Sequence, residues 1–80
     1  MKTTDYFQNK VLSKRPYLKI EWIERVLSDP EHSDTETNGR IRYWGYIEEI
    51  KKYLRVVVLE DRETVHNAFP DRRYKGERSK

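Results

Sequence analysis

Apolar residues recur along this chain at two different spacings, and the change of spacing divides it into a helical first part and a stranded second part. Phe7 and Val11 stand one helical turn apart, behind Thr3, Thr4 and Asp5, any of which can cap a first helix. Pro16 closes that helix, because the residue before a proline avoids the helical region. A second helix is predicted over about 18–27, where Ile20, Ile23 and Leu27 share one face and Glu21, Glu24 and Arg25 point away. Ser28-Asp29-Pro30 ends it. Residues 31–39 are rich in Ser, Thr, Asp and Asn and read as a solvated loop finishing in an Asn38-Gly39 turn.

From Arg40 the period becomes two. Ile41, Tyr43, Gly45 and Ile47 alternate with Arg40, Arg42, Trp44 and Tyr46, which predicts a first strand. Residues 53–60 form the second, central because of its Val56-Val57-Val58 run, and residues 64–69 form the third. A tight hairpin at Asp61-Arg62 would pair Val58 with Val65 and Val57 with His66. The helix side of the sheet then collects Leu54, Val56, Val58, Val65 and Phe69, with Ile41, Tyr43 and Ile47. The open side collects Arg40, Arg42, Trp44, Tyr46, Arg55, Val57, Leu59, Thr64 and His66. A bulge at Gly45 would swap the facing of the residues before it. The expected fold is α+β: two N-terminal helices packed on one face of a three-stranded antiparallel sheet, a meander of order 1-2-3. The expected core is Phe7, Val11, Ile20, Ile23, Leu27, Ile41, Leu54, Val56, Val58, Val65 and Phe69.

Eighty residues restrict this to one domain with one helix layer on one sheet layer, placed over 1–75 with a mobile basic tail at 76–80. With 39% charged residues and a mean hydropathy of -1.09 the chain is polar for a folded protein, but two Trp, six Tyr and two Phe supply a core. It has no cysteine, so disulfides, thiolate metal sites and thiol nucleophiles are excluded. The longest apolar run, Val56 to Leu59, is far below the roughly 20 residues of a membrane span. Without an apolar leader the expected location is the cytoplasm, with no membrane partner. Strands one and three would each leave an edge unpaired, so a protein that covers an edge, or a second copy of the chain, is an expected partner.

The net charge of +3 is unevenly distributed. Residues 29–38 carry four acids and no base, while Arg72, Arg73, Lys75, Arg78 and Lys80 crowd the C-terminus. Phosphate loops, zinc-binding histidine pairs, nucleophile elbows and calcium loops are absent from the sequence, and neither a cofactor nor a metal is expected; His32 among Glu31, Asp34 and Glu36 reads as a polar loop. The stronger pattern is arginine interleaved with aromatic rings. Arg40, Arg42, Trp44 and Tyr46, with Arg73 and Lys75, offer phosphate contacts and stacking surfaces for unpaired bases, which makes RNA an expected partner. The same residues also suit a solvated sheet face on which long Arg stems cover backbone. His66 beside Arg55 would sit in a partly dry, positive surround that favours the neutral imidazole a general base requires.

Asn38-Gly39-Arg40-Ile41-Arg42, Leu54-Arg55-Val56-Val57-Val58 and the closing Val65-His66-Asn67-Ala68-Phe69-Pro70-Asp71-Arg72 resemble a group of small uncharacterised bacterial proteins. That group is similar in turn to the superfamily of RelE and ParE toxins, barnase and the tRNA-cutting colicins. The resemblance implies metal-free RNA cleavage, with His66 as acid or base, Arg55 and Arg72 as phosphate clamps, and an inhibitory protein as partner. It equally admits a non-catalytic RNA- or protein-binding module, since a fold does not assign a reaction.

Overall fold

The computed structural model describes residues 1–76. It is α+β, with five strands in one mixed sheet: β1 (Lys2–Thr3), β2 (His32–Thr35), β3 (Ile41–Ile47), β4 (Lys52–Val58) and β5 (Thr64–Pro70). Their order is β1-β5-β4-β3-β2, with β1 parallel to β5 and every other pair antiparallel. The three-stranded meander is therefore corrected: β3, β4 and β5 are its strands, and each of their outer edges carries a further strand. The first helix, α1, is a π-helical segment Phe7–Val11 running into an α-helical turn Leu12–Lys14, and the second, α2, spans Ile20–Ser28. The mobility expected of 76–80 concerns mainly 77–80, which lie outside the described residues. Gly76 is described, at φ +66°, so close to Tyr53 and Glu31 that a side chain there would collide with both.

Thr4 starts α1 by accepting the Phe7 N–H on its hydroxyl oxygen at 3.1 Å. Phe7 and Val11 then enter the core with Leu18 from the turn before α2, Trp22, Ile23 and Val26 from α2, and Ile47, Leu54, Val56, Val58, Val65 and Ala68 from the sheet. The apolar face of α2 is turned from the expected one. Trp22 and Val26 are buried beside Ile23, while Ile20 is 39% exposed and Leu27 only partly buried. Trp22 brings more area to bury than Ile20, and its burial rotates the helix toward it.

Gly45 makes no bulge. It pairs in register with Leu54, and the facing of Ile41, Tyr43 and Ile47 is as expected. Its role is close approach: a Cβ at this position would stand 3.0 Å from Val26 Cγ2, so α2 can lie against the sheet only over a glycine. Gly45→Val should push the helix away and lower stability by about 1–3 kcal/mol. A urea midpoint equal to the parent's would show that α2 does not rest on β3.

The solvated loop expected over 31–39 is also corrected, since β2 lies inside it. Its polar residues carry no alternation because it is an exposed edge. The ladder to β3 holds it, with a turn closed by Gly39 N–H to Glu36 O at 2.9 Å and Glu36 N–H to Arg40 O at 2.7 Å. The third correction is register. Val58 pairs with Val65 as expected, but Val57 pairs with Asn67, leaving His66 as the extra residue of a β-bulge. Beyond the bulge the faces exchange, so Ala68, opposite Val56, is buried in the core, and Phe69, opposite Arg55, leaves it. The two open edges that motivated a strand-adding partner are occupied, β1 lying on the first residues of β5 and β2 on β3. No helix of the described residues is long and apolar enough to cross a membrane.

Candidate nucleic-acid interface

The sheet face away from the helices is largely covered by the chain itself. After β5 the segment from Asp71 folds back across it, tied by Asp71 N–H to Tyr53 O at 2.8 Å. Asp71 is buried and accepts from Trp44 Nε1 at 2.9 Å, from Arg55 Nη2 at 2.8 Å and Nε at 3.0 Å, and from the Arg73 N–H at 3.0 Å. Burial pushes its carboxyl up, but the donors from Trp44, Arg55 and Arg73 outweigh that and hold it below the usual carboxylate value. Tyr74 stacks on Trp44 at 5.1 Å between ring centroids and 16° between planes, and His32 lies against both rings.

This arrangement changes the meaning of several residues singled out by the sequence. Trp44 is 5% exposed, with Tyr74 on its ring and the Arg42 and Arg55 guanidinium groups at 5.1 and 5.4 Å from its centroid, so it offers no open platform for a base. Arg42 is engaged by Asp34 through two hydrogen bonds of 2.7 Å, with Glu36 at 3.7 Å. The Asp34 bond is the main cause that raises the Arg42 pKa, and Arg42 in turn lowers that of Asp34. Arg55 is engaged by Asp71. Arg40 sits apart, in a small cleft with Asn38, Leu59, Glu60 and Asp61.

His66 does not share the surroundings of Arg55. The pairing that would have set it opposite Val57 is taken by Asn67, and its ring stacks on Tyr6 at 4.9 Å while Nδ1 lies 3.0 Å from the Thr4 hydroxyl. Because the Thr4 oxygen already accepts from Phe7, its hydrogen can be donated to Nδ1, which suits a neutral imidazole with its proton on Nε2. Burial first, and the charge of Arg40 second, lower the His66 pKa. Arg55 faces Asp71, Trp44 and Phe69, and Arg72 lines the clefts that Phe69 and Asp71 also border, so the two arginines share neighbours while His66, held by Tyr6 and Thr4, has a different setting.

What the fold does bring together lies at the end of the sheet where β4 begins and β5 ends. A cleft of about 490 Å³ is lined by Arg15, Tyr17, Ile50, Lys52, Phe69, Pro70 and Arg72, with no carboxylate among the described residues that line it. A second cleft of about 300 Å³ shares Lys52 and Arg72 with it and adds Tyr46, Lys51, Tyr53, Asp71, Tyr74 and Lys75. Among the described residues, five cations and five aromatic rings border the groove made by these two adjoining clefts, and the one acid on it is the Asp71 already bound by Arg55. Among the described residues no ion pair engages Arg15, Lys51, Lys52, Arg72 or Lys75, in contrast to the paired Arg25, Arg42 and Arg55.

Arg72, Tyr46 and Lys75 are the sequence-chosen residues that reach this groove. Arg73 lines neither cleft and supplies its N–H to Asp71. Arg15, Tyr17, Lys51 and Lys52 were not singled out by sequence reasoning. The Lys51-Lys52 pair at the head of a strand was a visible signal, but nothing in the chain's pattern says that Arg15 at the end of α1 meets it. Among the described residues no group of three or more His, Asp or Glu side chains is placed to hold a metal. No family model, curated protein or solved structure matches this chain.

Proposed function

We propose that this protein binds RNA, and that it does so through the groove at the end of the sheet without cleaving the strand. The observation that carries this reading is the set of cations there that no ion pair engages among the described residues. An arginine bonded to a carboxylate has its charge offset and some of its donors occupied, whereas Arg15, Lys52 and Arg72 bring their full charge to a phosphate. Aromatic rings among the cations add surfaces suited to bases, the combination used by proteins that track a nucleic-acid backbone. The setting of His66 on Tyr6 and Thr4, apart from Arg55 and Arg72, favours binding over the ribonuclease alternative, which needs a base and cationic clamps around one phosphate.

The test is fluorescence anisotropy with a labelled, unstructured RNA over a series of salt concentrations. Arg72→Ala should weaken binding and reduce the slope of log affinity against log salt by roughly 0.7, the value for one phosphate contact on a single strand. Arg25→Ala removes the same charge from an arginine bonded to Glu49 and should leave the slope unchanged. Equal behaviour of the two variants would reject the groove. RNA recovered at full length after long incubation is the expected result, and cleavage lost in His66→Ala would restore the ribonuclease reading.

A further inference from the structure

We infer that the groove selects single-stranded over double-stranded RNA because Tyr17 is a stacking platform for one unpaired base, next to a phosphate seat made by Arg15, Lys52 and Arg72; this rests on the RNA-binding reading above. The aromatic rings around the groove differ in availability. Phe69 has the Arg15 guanidinium 5.7 Å and the Arg55 guanidinium 4.8 Å from its centroid. Tyr46, Tyr53 and Tyr74 contact one another or Trp44. Tyr17 is 49% exposed, and among the described residues it has no ring partner and no side-chain hydrogen bond.

Tyr17 is also held in place by its backbone. Leu18 N–H donates to Arg15 O at 3.0 Å, closing a turn with Pro16 and Tyr17 at its centre, and the Leu18 side chain is anchored in the core. Pro16 fixes one dihedral of that turn. An exposed ring on a rigid turn loses little freedom when it stacks, which is what a platform requires. The phosphate seat is local, its cations lying around a single cleft whose volume of about 490 Å³ falls in the usual range for ligand pockets. Charge complementarity commits that cleft to an anion, since no carboxylate among the described residues lines it. A base paired in a duplex has both faces stacked on its neighbours and cannot be offered to Tyr17, so the pair of features can be used together only by an unpaired nucleotide.

The experiment uses the full chain and a uridine-rich RNA of about 12 nucleotides carrying one 2-aminopurine, either alone or annealed to its complement. The single strand should bind more tightly than the duplex, with the 2-aminopurine fluorescence quenched. Tyr17→Leu should weaken single-strand binding roughly tenfold and abolish the quench, and leave duplex binding unchanged. Tyr17→Phe keeps the ring and should retain both affinity and quench, which separates stacking from any effect on folding. Parental single-strand affinity in Tyr17→Leu, with Arg72→Ala still weakened, would overturn the platform and leave the RNA-binding groove standing. Loss of binding to both RNAs in the parent at low salt would reject the groove itself and the platform with it.

Discussion

Phe7→Ala should lower the stability of the domain by about 3–5 kcal/mol, the range for truncating a fully buried phenylalanine where neighbours cannot close the cavity. Phe7 is 0% exposed and lies where α1 packs on β5, among side chains already in contact with the single core of a very small protein. Domains of this kind have stabilities that begin at about 5 kcal/mol, so most of the margin should go. Urea unfolding followed by far-ultraviolet circular dichroism should show the midpoint falling sharply. Tyr6→Ala, next to it but 49% exposed, should cost far less. If the two substitutions had similar small effects, α1 would not be docked on the sheet.

Asp71→Ala should cost about 2–3 kcal/mol, the second largest loss expected. It leaves Trp44 Nε1 and the Arg55 guanidinium without their acceptor on a face closed by Tyr74. The figure is below that for a fully buried ion pair because the Arg55 side chain keeps 23% of its exposure and can recover some hydration. Asp71 has a folded pKa below its ordinary 3.8, so the unfolded chain takes up its proton first on acidification. Its stabilisation is therefore complete above that ordinary value and is lost as pH falls through the lower folded one. Urea midpoints measured in steps from neutral to acid pH should show the parent and Asp71→Ala differing most near pH 7 and converging in acid. A gap that stayed constant would mean that the ionised carboxylate contributes nothing, and that only packing was lost.

The parts of the fold legible in the chain are those where a long segment has one buried face. β3 and β4 have that pattern, and the helix-side facing of Ile41, Tyr43, Val56 and Val58 follows from their alternation, while the pairing of Tyr43 with Val56 and Ile41 with Val58 is a matter of the loop between the strands. The Val56-Val57-Val58 run marked the central strand because both faces of it are covered: Val56 and Val58 by the helices, Val57 at 7% exposure on the far side. The existence of two helices ahead of the three central strands was equally readable from Phe7, Val11, Ile23 and the prolines that follow them. The phase of α2 was not, since Trp22 and Ile20 compete for one face and only the packing against Gly45 and its neighbours decides between them.

By itself, then, the sequence determined an α+β fold with its central three strands, their antiparallel order and half of its core, because apolar periodicity reports burial within one segment. Tertiary structure alone decided the rest. β1 and β2 are edge strands held by backbone hydrogen bonds rather than by buried side chains, so their residues carry no periodic signal. The bulge at His66 is one residue of extra backbone that shifts Asn67 opposite Val57, exchanges the places of Ala68 and Phe69, and separates His66 from Arg55. The pairing of Arg42 and Arg55 with Asp34 and Asp71 likewise depends on which segments lie side by side, and it decides which of the arginines remain open to a phosphate. The groove draws Arg15, Lys52 and Arg72 from three distant stretches of chain. No local pattern can announce such a site, because the charge that defines it is assembled only when the end of α1, the start of β4 and the end of β5 meet.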